Sequence, residues 1–347
     1  MDLVTLLLIL VVLAVTLFDF TNGFHDAADM VATAIASRAM KPLTAIVIVS
    51  VFTFLGPFLV GLAVADTVGS FVEINTVPAL TGESVVIAAL FAAISFNLIT
   101  WKLGLPSSSS NSLAGGLVGA GLYAVGNSHI NWGILALSEG HLEGVMKVVA
   151  GLFASPFLGF LIGFIIMKVL FHVFKHFKSR IRHFFVVSQY FSVAWLGFSH
   201  GANDAQKGMA IIGMMLLASG HNSTFQVPDW AILLCASAIT LGTLFGGWSI
   251  IKTLGFGLYR VRLIHSVSNQ LGAALVNSLA TAIGAPTSTT QVVTATLLGN
   301  GAAEKPAHVR WQVAGHIMSG WMLNVPISIM LGWVYCLIFN LLLQSLN

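Results

Sequence analysis

Gly23-Phe24-His25-Asp26-Ala27 recurs 178 residues later as Gly201-Ala202-Asn203-Asp204-Ala205. Gly104-Leu105-Pro106-Ser107-Ser108-Ser109-Ser110-Asn111 recurs 180 residues later as Gly284-Ala285-Pro286-Thr287-Ser288-Thr289-Thr290-Gln291, and Asn97 pairs with Asn277 at the same spacing. Two motifs repeating in order at nearly one offset make the chain a tandem of two related halves. The first half covers 1–171 and the second 187–347. A basic amphipathic connector, 172–186, lies between them.

Composition sets the surroundings of those halves. Of 347 residues, 15 are Lys or Arg and 12 are Asp or Glu, 57% are hydrophobic, and the mean hydropathy is +0.92. Soluble domains carry roughly 25% charged residues, so this chain lacks the polar surface to cover a soluble fold. The same numbers exclude a disordered chain, a disulfide scaffold and a basic nucleic-acid binder. A lipid bilayer is the partner this composition demands, and a multi-pass cell-membrane (plasma or inner-membrane) protein is the class. Charge-free intervals at 3–18, 42–65, 84–101, 103–138, 148–167, 183–203, 208–228, 230–251, 263–303 and 311–347 each hold a span or more. They are continuously apolar, which argues for helices against a strand barrel. The expectation is an all-α fold of about 10–12 membrane segments, with broken helices and re-entrant hairpins.

Loop charges give the sidedness, since short Lys/Arg-rich loops stay cytoplasmic. Loops 38–41, 168–182, 252–262 and 303–310 carry bases and read as inside; 66–83, 126–144 and 219–229 carry none and read as outside. Corresponding loops of the two halves fall on opposite sides, so the halves are expected to be inverted, as in many secondary transporters. Parallel repeats are the alternative.

Carboxylates inside apolar stretches are costly and mark function. Asp26, Asp29 and Asp204 are therefore the candidate cation ligands, with Asn97 and Asn277 as polar neighbours. Asp19–His25 and Phe198–Asp204 are expected to be points where long helices break, Gly23 being the weak point. Pro106 and Pro286 suit the first position of a helix. The hydroxyl runs Ser107, Ser108, Ser109, Ser110 and Thr287, Ser288, Thr289, Thr290, with Asn111 and Gln291, would then offer hydroxyls and free N–H groups to an anion. His25 and Asn203 hold matching places beside the aspartates, and Lys207 is the charge partner of Asp204. A multivalent anion cannot approach these carboxylates without cations, which suggests symport. No nucleophile–base pair or metal triad points to an enzyme, and no cofactor is expected.

Gly-Phe-His-Asp-Ala-Ala-Asp (23–29) and Gly-Ala-Asn-Asp-Ala-Gln-Lys (201–207) resemble the duplicated signature of the inorganic phosphate transporter (PiT) family. Leu-Pro-Ser-Ser-Ser-Ser-Asn (105–111) and Ala-Pro-Thr-Ser-Thr-Thr-Gln (285–291) resemble its second duplicated motif. The resemblance implies a homodimeric, inverted-repeat symporter of inorganic phosphate working by alternating access. It implies acidic positions essential for coupling at Asp26 and Asp204, and phosphate and cation sites at the hydroxyl runs. Gln206-Lys207 is similar to the bacterial low-affinity members, which use H⁺ and carry metal-phosphate; other members use Na⁺. The family pattern commonly has Asn at positions 25 and 29 and His at 111 and 291. A sulfate or other tetrahedral-oxyanion symporter is the alternative, and an ion channel a further one.

Overall fold

Two six-residue interruptions, 103–108 and 283–288, organise the fold. Each follows a helix that ends on a left-handed glycine, Gly104 (φ 67°) or Gly284 (φ 66°). The closing bonds run Leu105 N–H to Thr100 O (3.0 Å) and Ala285 N–H to Ala280 O (2.8 Å), the six-to-one closure that a glycine permits without steric cost. The chain then extends for four residues and starts a new helix, with Ser108 or Ser288 as its N-cap.

The computed structural model describes residues 3–74, 77–174, 181–246 and 248–346. In order the helices are α1 (Leu3–Ala36), α2 (Pro42–Leu59), α3 (Ala63–Gly69), α4 (Ala79–Lys102), α5 (Ser109–Ala124), α6 (Ile134–Ser138), α7 (Gly144–Phe174), α8 (Ile181–Ala218), α9 (Asp229–Phe245), α10 (Trp248–Gly257), α11 (Leu263–Ala282), α12 (Thr289–Glu304) and α13 (Trp311–Leu346). Apart from the short α3 and α6, eleven described helices remain, within the expected number of segments. Most of the connector 172–186 is taken up by the ends of α7 and α8; its residues 175–180, with Lys175, Lys178 and Arg180, lie outside the described residues.

Both interruptions are tips of re-entrant hairpins. α4 and α5 pack together, and the residues flanking the outer ends of that pair meet: Val72 bridges Ile130, and Glu73 N–H donates to His129 O at 2.9 Å. α11 and α12 also pack together; Arg262 beside the start of α11 pairs with Glu304 at the end of α12. The first base lies among loops without basic residues, the second among basic ones. The two repeats are inverted.

Packing exchanges partners between the halves. α1 packs on α9 while α8 packs on α2; α5 packs on α13 while α12 packs on α7. The exchange explains why the long helices do not break where the sequence suggested. α1 runs 34 residues and α8 38 residues without interruption through the aspartate motifs. At 1.5 Å per residue α1 is about 51 Å long, a length accommodated by tilt or overhang. Gly23 is a close-crossing point: a Cβ there would lie 2.0 Å from Ile239 O of α9, and one at Gly201 would lie 2.0 Å from Thr53 O of α2. Small residues let helix backbones approach within a membrane. The breaks fall instead between α2 and α3, between α9 and α10, and at the two hairpin tips.

Leucines and phenylalanines such as Leu13, Phe153, Phe157 and Phe191 are exposed, as lipid-facing surfaces require. The polar residues of the aspartate motifs and hydroxyl runs lie inside.

Candidate functional site

The prolines do not start the hairpin helices. Pro106 and Pro286 lie in the extended tips, and α5 and α12 begin three residues later. The reason is local: Ser108 Oγ accepts the Asn111 N–H (3.1 Å) and Ser288 Oγ accepts the Gln291 N–H (3.3 Å), and a serine N-cap fixes the helix start. Asn111 Oδ1 also accepts from Ser108 Oγ at 3.0 Å. Thus Asn111 and Gln291 stand at the third helical position, inside the caps.

The first turns of α5 and α12 meet the middle of α1 and α8. Thr290 Oγ1 lies 2.8 Å from Asp26 Oδ1 and 2.5 Å from Asp29 Oδ2, so the two carboxyl groups share one hydroxyl. Its repeat mate Ser110 donates to the Thr287 carbonyl and accepts from Lys207 Nζ, both at 2.5 Å. Lys207 Nζ also reaches Thr287 O (3.0 Å) and Asp204 Oδ1 (2.8 Å). The two hairpin tips therefore touch each other and the aspartate helices at once. Ser109 Oγ donates to Asn22 Oδ1 at 2.6 Å, and its mate Thr289 lies 3.3 Å from His200 Nδ1.

Asn22 and His200 were not singled out from the sequence, yet they join the two aspartates. Each sits one helical turn before its own aspartate and reaches the other. Asn22 Nδ2 donates to Asp204 Oδ2 at 3.3 Å; His200 Nδ1 lies 3.9 Å from Asp26 Oδ2 and 3.6 Å from Asp204 Oδ2. The signal was available, because Asn22 and His200 share the 178-residue offset. His25 Nδ1 contacts Asp26 Oδ1 at 3.3 Å.

Other expected residues brace the site. Asn203 accepts the Thr287 N–H (3.0 Å) and donates to Thr281 Oγ1 (2.9 Å) and Ala285 O (3.2 Å), holding the second tip against α8. Asn277 accepts from Thr287 Oγ1 (3.3 Å) and donates to Thr289 Oγ1 (3.2 Å), while Asn97 accepts from Ser112 Oγ (3.2 Å). Ser107 bonds Thr100 at 2.7 Å. From α13, Asn324 Nδ2 donates to Ser108 O at 2.8 Å and Trp321 Nε1 to Pro106 O at 3.2 Å, supports that no local motif announces.

All of these aspartates, histidines and hydroxyls are buried. A void of about 10 Å³ beside Ser110, Lys207 and Pro286 is no larger than one water needs, so this conformation is closed around the cluster. Ligating atoms of His25, Asp26 and Asp29, and of Asp26, His200 and Asp204, lie within 4.8 Å of one another in each triad. His25 Nε2, His200 Nε2 and Asp29 Oδ1 are buried with no hydrogen-bond partner among the described residues. Donor-poor carboxylate clusters of this kind fit a cation or a proton.

Residues 22–332 match the Phosphate transporter family over most of the chain. The chain belongs to that family. A probable low-affinity inorganic phosphate transporter of Rhizobium meliloti (strain 1021) is 37% identical over 311 residues, 89% of each chain. A Bacillus subtilis (strain 168) protein of the same description is 36% identical over 344 residues, 99% of this chain and 100% of the relative. Among solved structures, one described as the sodium-dependent phosphate transporter has a TM-score of 0.85 over 96% of this chain and 99% of its own, at 24% identity. That likeness shows the shared fold. This phosphate transporter family member is thus a multi-pass cell-membrane protein of a transporter family, not an enzyme.

Proposed function

We propose that this chain is a cation-coupled symporter of inorganic phosphate working by alternating access. The observation that carries the proposal is the meeting of two capped helix N-termini, each bearing a hydroxyl run, with Asp26 and Asp204 in one buried cluster. Helix N-termini and hydroxyls favour a tetrahedral oxyanion; Ser107–Asn111 and Thr287–Gln291 are its proposed contacts, with His25 and Asn203 beside them. Asp26, Asp29 and Asp204 are the proposed cation ligands, supported by Asn97 and Asn277. Lys207 holds Asp204 at 2.8 Å, so the second-half carboxylate is already paired while Asp26 and Asp29 share Thr290. A bound cation would offset the carboxylate charge that otherwise repels phosphate.

The coupling ion is Na⁺ or H⁺, with metal-phosphate as a further form of the cargo. The oxygens of Asp26, Asp29, Asn22 and Thr290 suit Na⁺, as does the name of the sodium-dependent fold relative. The imidazoles of His25 and His200 beside Asp26 suit H⁺. Because the cluster is closed in this conformation, transport requires it to open to each side in turn. We place the seam between the two transporting halves, 1–171 and 187–347, at 172–186. A homodimer is extended to this chain from the family resemblance.

The experiment is phosphate uptake into proteoliposomes under separately imposed Na⁺ and H⁺ gradients, with excess sulfate as competitor. Concentrative uptake driven by one gradient and resistant to sulfate is expected. Uptake removed by sulfate would move the substrate to that anion, and equilibration without concentration would indicate a channel.

A further inference from the structure

Away from the aspartate cluster, a cavity of about 410 Å³ opens at the face where the basic loops gather. Three arginines from three separate segments line it: Arg38 from the turn between α1 and α2, Arg182 from the start of α8, and Arg262 just before α11. Its wall is apolar, with Phe171 and Phe174 of α7 and Phe185 of α8. Arg262 is paired with Glu304. Arg38 and Arg182 are exposed and make no ion pair among the described residues. The volume falls within the usual range of small-ligand sites.

Arg38 supplies a second, independent observation. Among the described residues it is the one non-glycine with left-handed backbone (φ 57°). It occupies the position after α1 where the Ala39 N–H closes on Ala34 O (3.1 Å) and its own N–H on Ile35 O (3.0 Å). That place favours glycine, and an arginine there is strained, an outlier of the kind that points to function. The neighbouring sequence cannot supply the missing negative charge, because 168–182 holds Lys168, Lys175, Lys178, Arg180 and Arg182 without an acid.

We infer that this cavity binds the headgroup of an anionic phospholipid on the cytoplasmic face. Its phosphodiester would sit between Arg38 and Arg182, with an acyl chain along Phe171, Phe174 and Phe185. Arginine matches phosphate oxygens in a planar fork, and basic pockets between membrane helices suit such headgroups. The apolar wall at the membrane boundary selects a lipid over a free anion. The site joins segments of both halves, so an occupant would bear on their relative positions. This inference is independent of the coupling ion and of the transported anion.

The test compares the full-length protein with the double variant Arg38→Gly/Arg182→Gln. Arg38→Gly removes a charge while relieving the backbone, so folding is expected to survive. Proteins are purified from vesicles of equal phosphatidylcholine and phosphatidylglycerol. Retained lipid is quantified by mass spectrometry, and melting is followed on adding each lipid or inorganic phosphate alone. The native protein should retain phosphatidylglycerol and melt higher with it. The double variant should bind it about thirty-fold more weakly, taking about 1 kcal/mol per basic residue. Equal retention by both proteins overturns the inference. So does a melting shift of the same size with inorganic phosphate that the variant loses, which would make the site one for free anions. If the double variant does not fold, Arg38→Gly alone is read in the same way, with about a five-fold weakening expected.

Discussion

Lys207 is where the two-fold likeness of the site fails in charge. Its mate is Asp29, and both take a hydroxyl from the opposite hairpin: Thr290 bonds Asp29, while Ser110 bonds Lys207. One half therefore presents two carboxylates and the other a neutralised pair. Removing one partner of a buried ion pair costs about 3–5 kcal/mol, since the other charge is stranded. Lys207→Met is expected to lower the melting temperature in detergent and abolish uptake. Asp204→Asn/Lys207→Met should regain most of the stability and still not transport. Wild-type uptake by Lys207→Met would remove the pair from the coupling machinery. On the other side, Thr290→Val removes the hydroxyl that Asp26 and Asp29 share. A hydrogen bond to a charged group contributes about 1.5–3 kcal/mol, so a clear loss of stability and of phosphate uptake is expected. Asp26→Asn, an isosteric change, should leave insertion and melting near wild type while cation-driven uptake disappears; retention of coupled uptake in that variant would refute the assignment of Asp26.

At the scale of helices, the reciprocal crossings α1–α9 and α8–α2 depend on a bare Cα at each contact. A valine at Gly23 or Gly201 would drive a side chain into a backbone carbonyl of the neighbouring helix, where no rotamer change relieves the clash. Both Gly23→Val and Gly201→Val are expected to yield little folded protein by size-exclusion chromatography of detergent extracts. Gly315→Ala, on α13 with open space around it, should fold normally. Well-behaved Gly23→Val would mean that the two helices can separate, and the crossing would not be what keeps α1 continuous. These crossings also explain what the sequence could and could not disclose. The repeat, the hairpins and the union of aspartates with hydroxyls were legible because each is written in local residue types at a constant offset. The caps at Ser108 and Ser288 were not read, because the prolines drew the helix starts too early. Continuity of α1 was not legible, because the partner that makes Gly23 a packing point, Ile239, lies 216 positions away. A polar, glycine-containing stretch read alone looks like a break. Asn22 and His200 escaped for a related reason, since Asn22 bonds the aspartate of the other half and His200 lies between the aspartates of both.

For the whole molecule, inversion follows from two kinds of observation that share no assumption. Charge assigns sides to loops, and packing says which loops meet. Segments carrying bases converge: Arg38, Arg182 and Arg262 line one cavity, Arg262 pairs with Glu304, and the Arg310 N–H donates to Leu258 O at 3.0 Å. Segments lacking bases converge elsewhere: 72–74 pairs with 129–130, and the Phe225 ring lies against Gly69. A parallel repeat would have mixed the two sets. The consequence can be measured in intact cells. Cys235 and Cys336 are buried, so an introduced cysteine would dominate the reaction with a membrane-impermeant maleimide. Glu73→Cys, in the base of the first hairpin, is expected to react in intact cells, whereas Arg260→Cys, beside the base of the second, should react only after permeabilisation. Labelling of both from one face would overturn the inversion, and with it the opposed approach of the hairpins to Asp26 and Asp204. If labelling is opposite, each hairpin reaches the shared cluster from its own side of the membrane, which is the arrangement in which opening either side exposes the same aspartates.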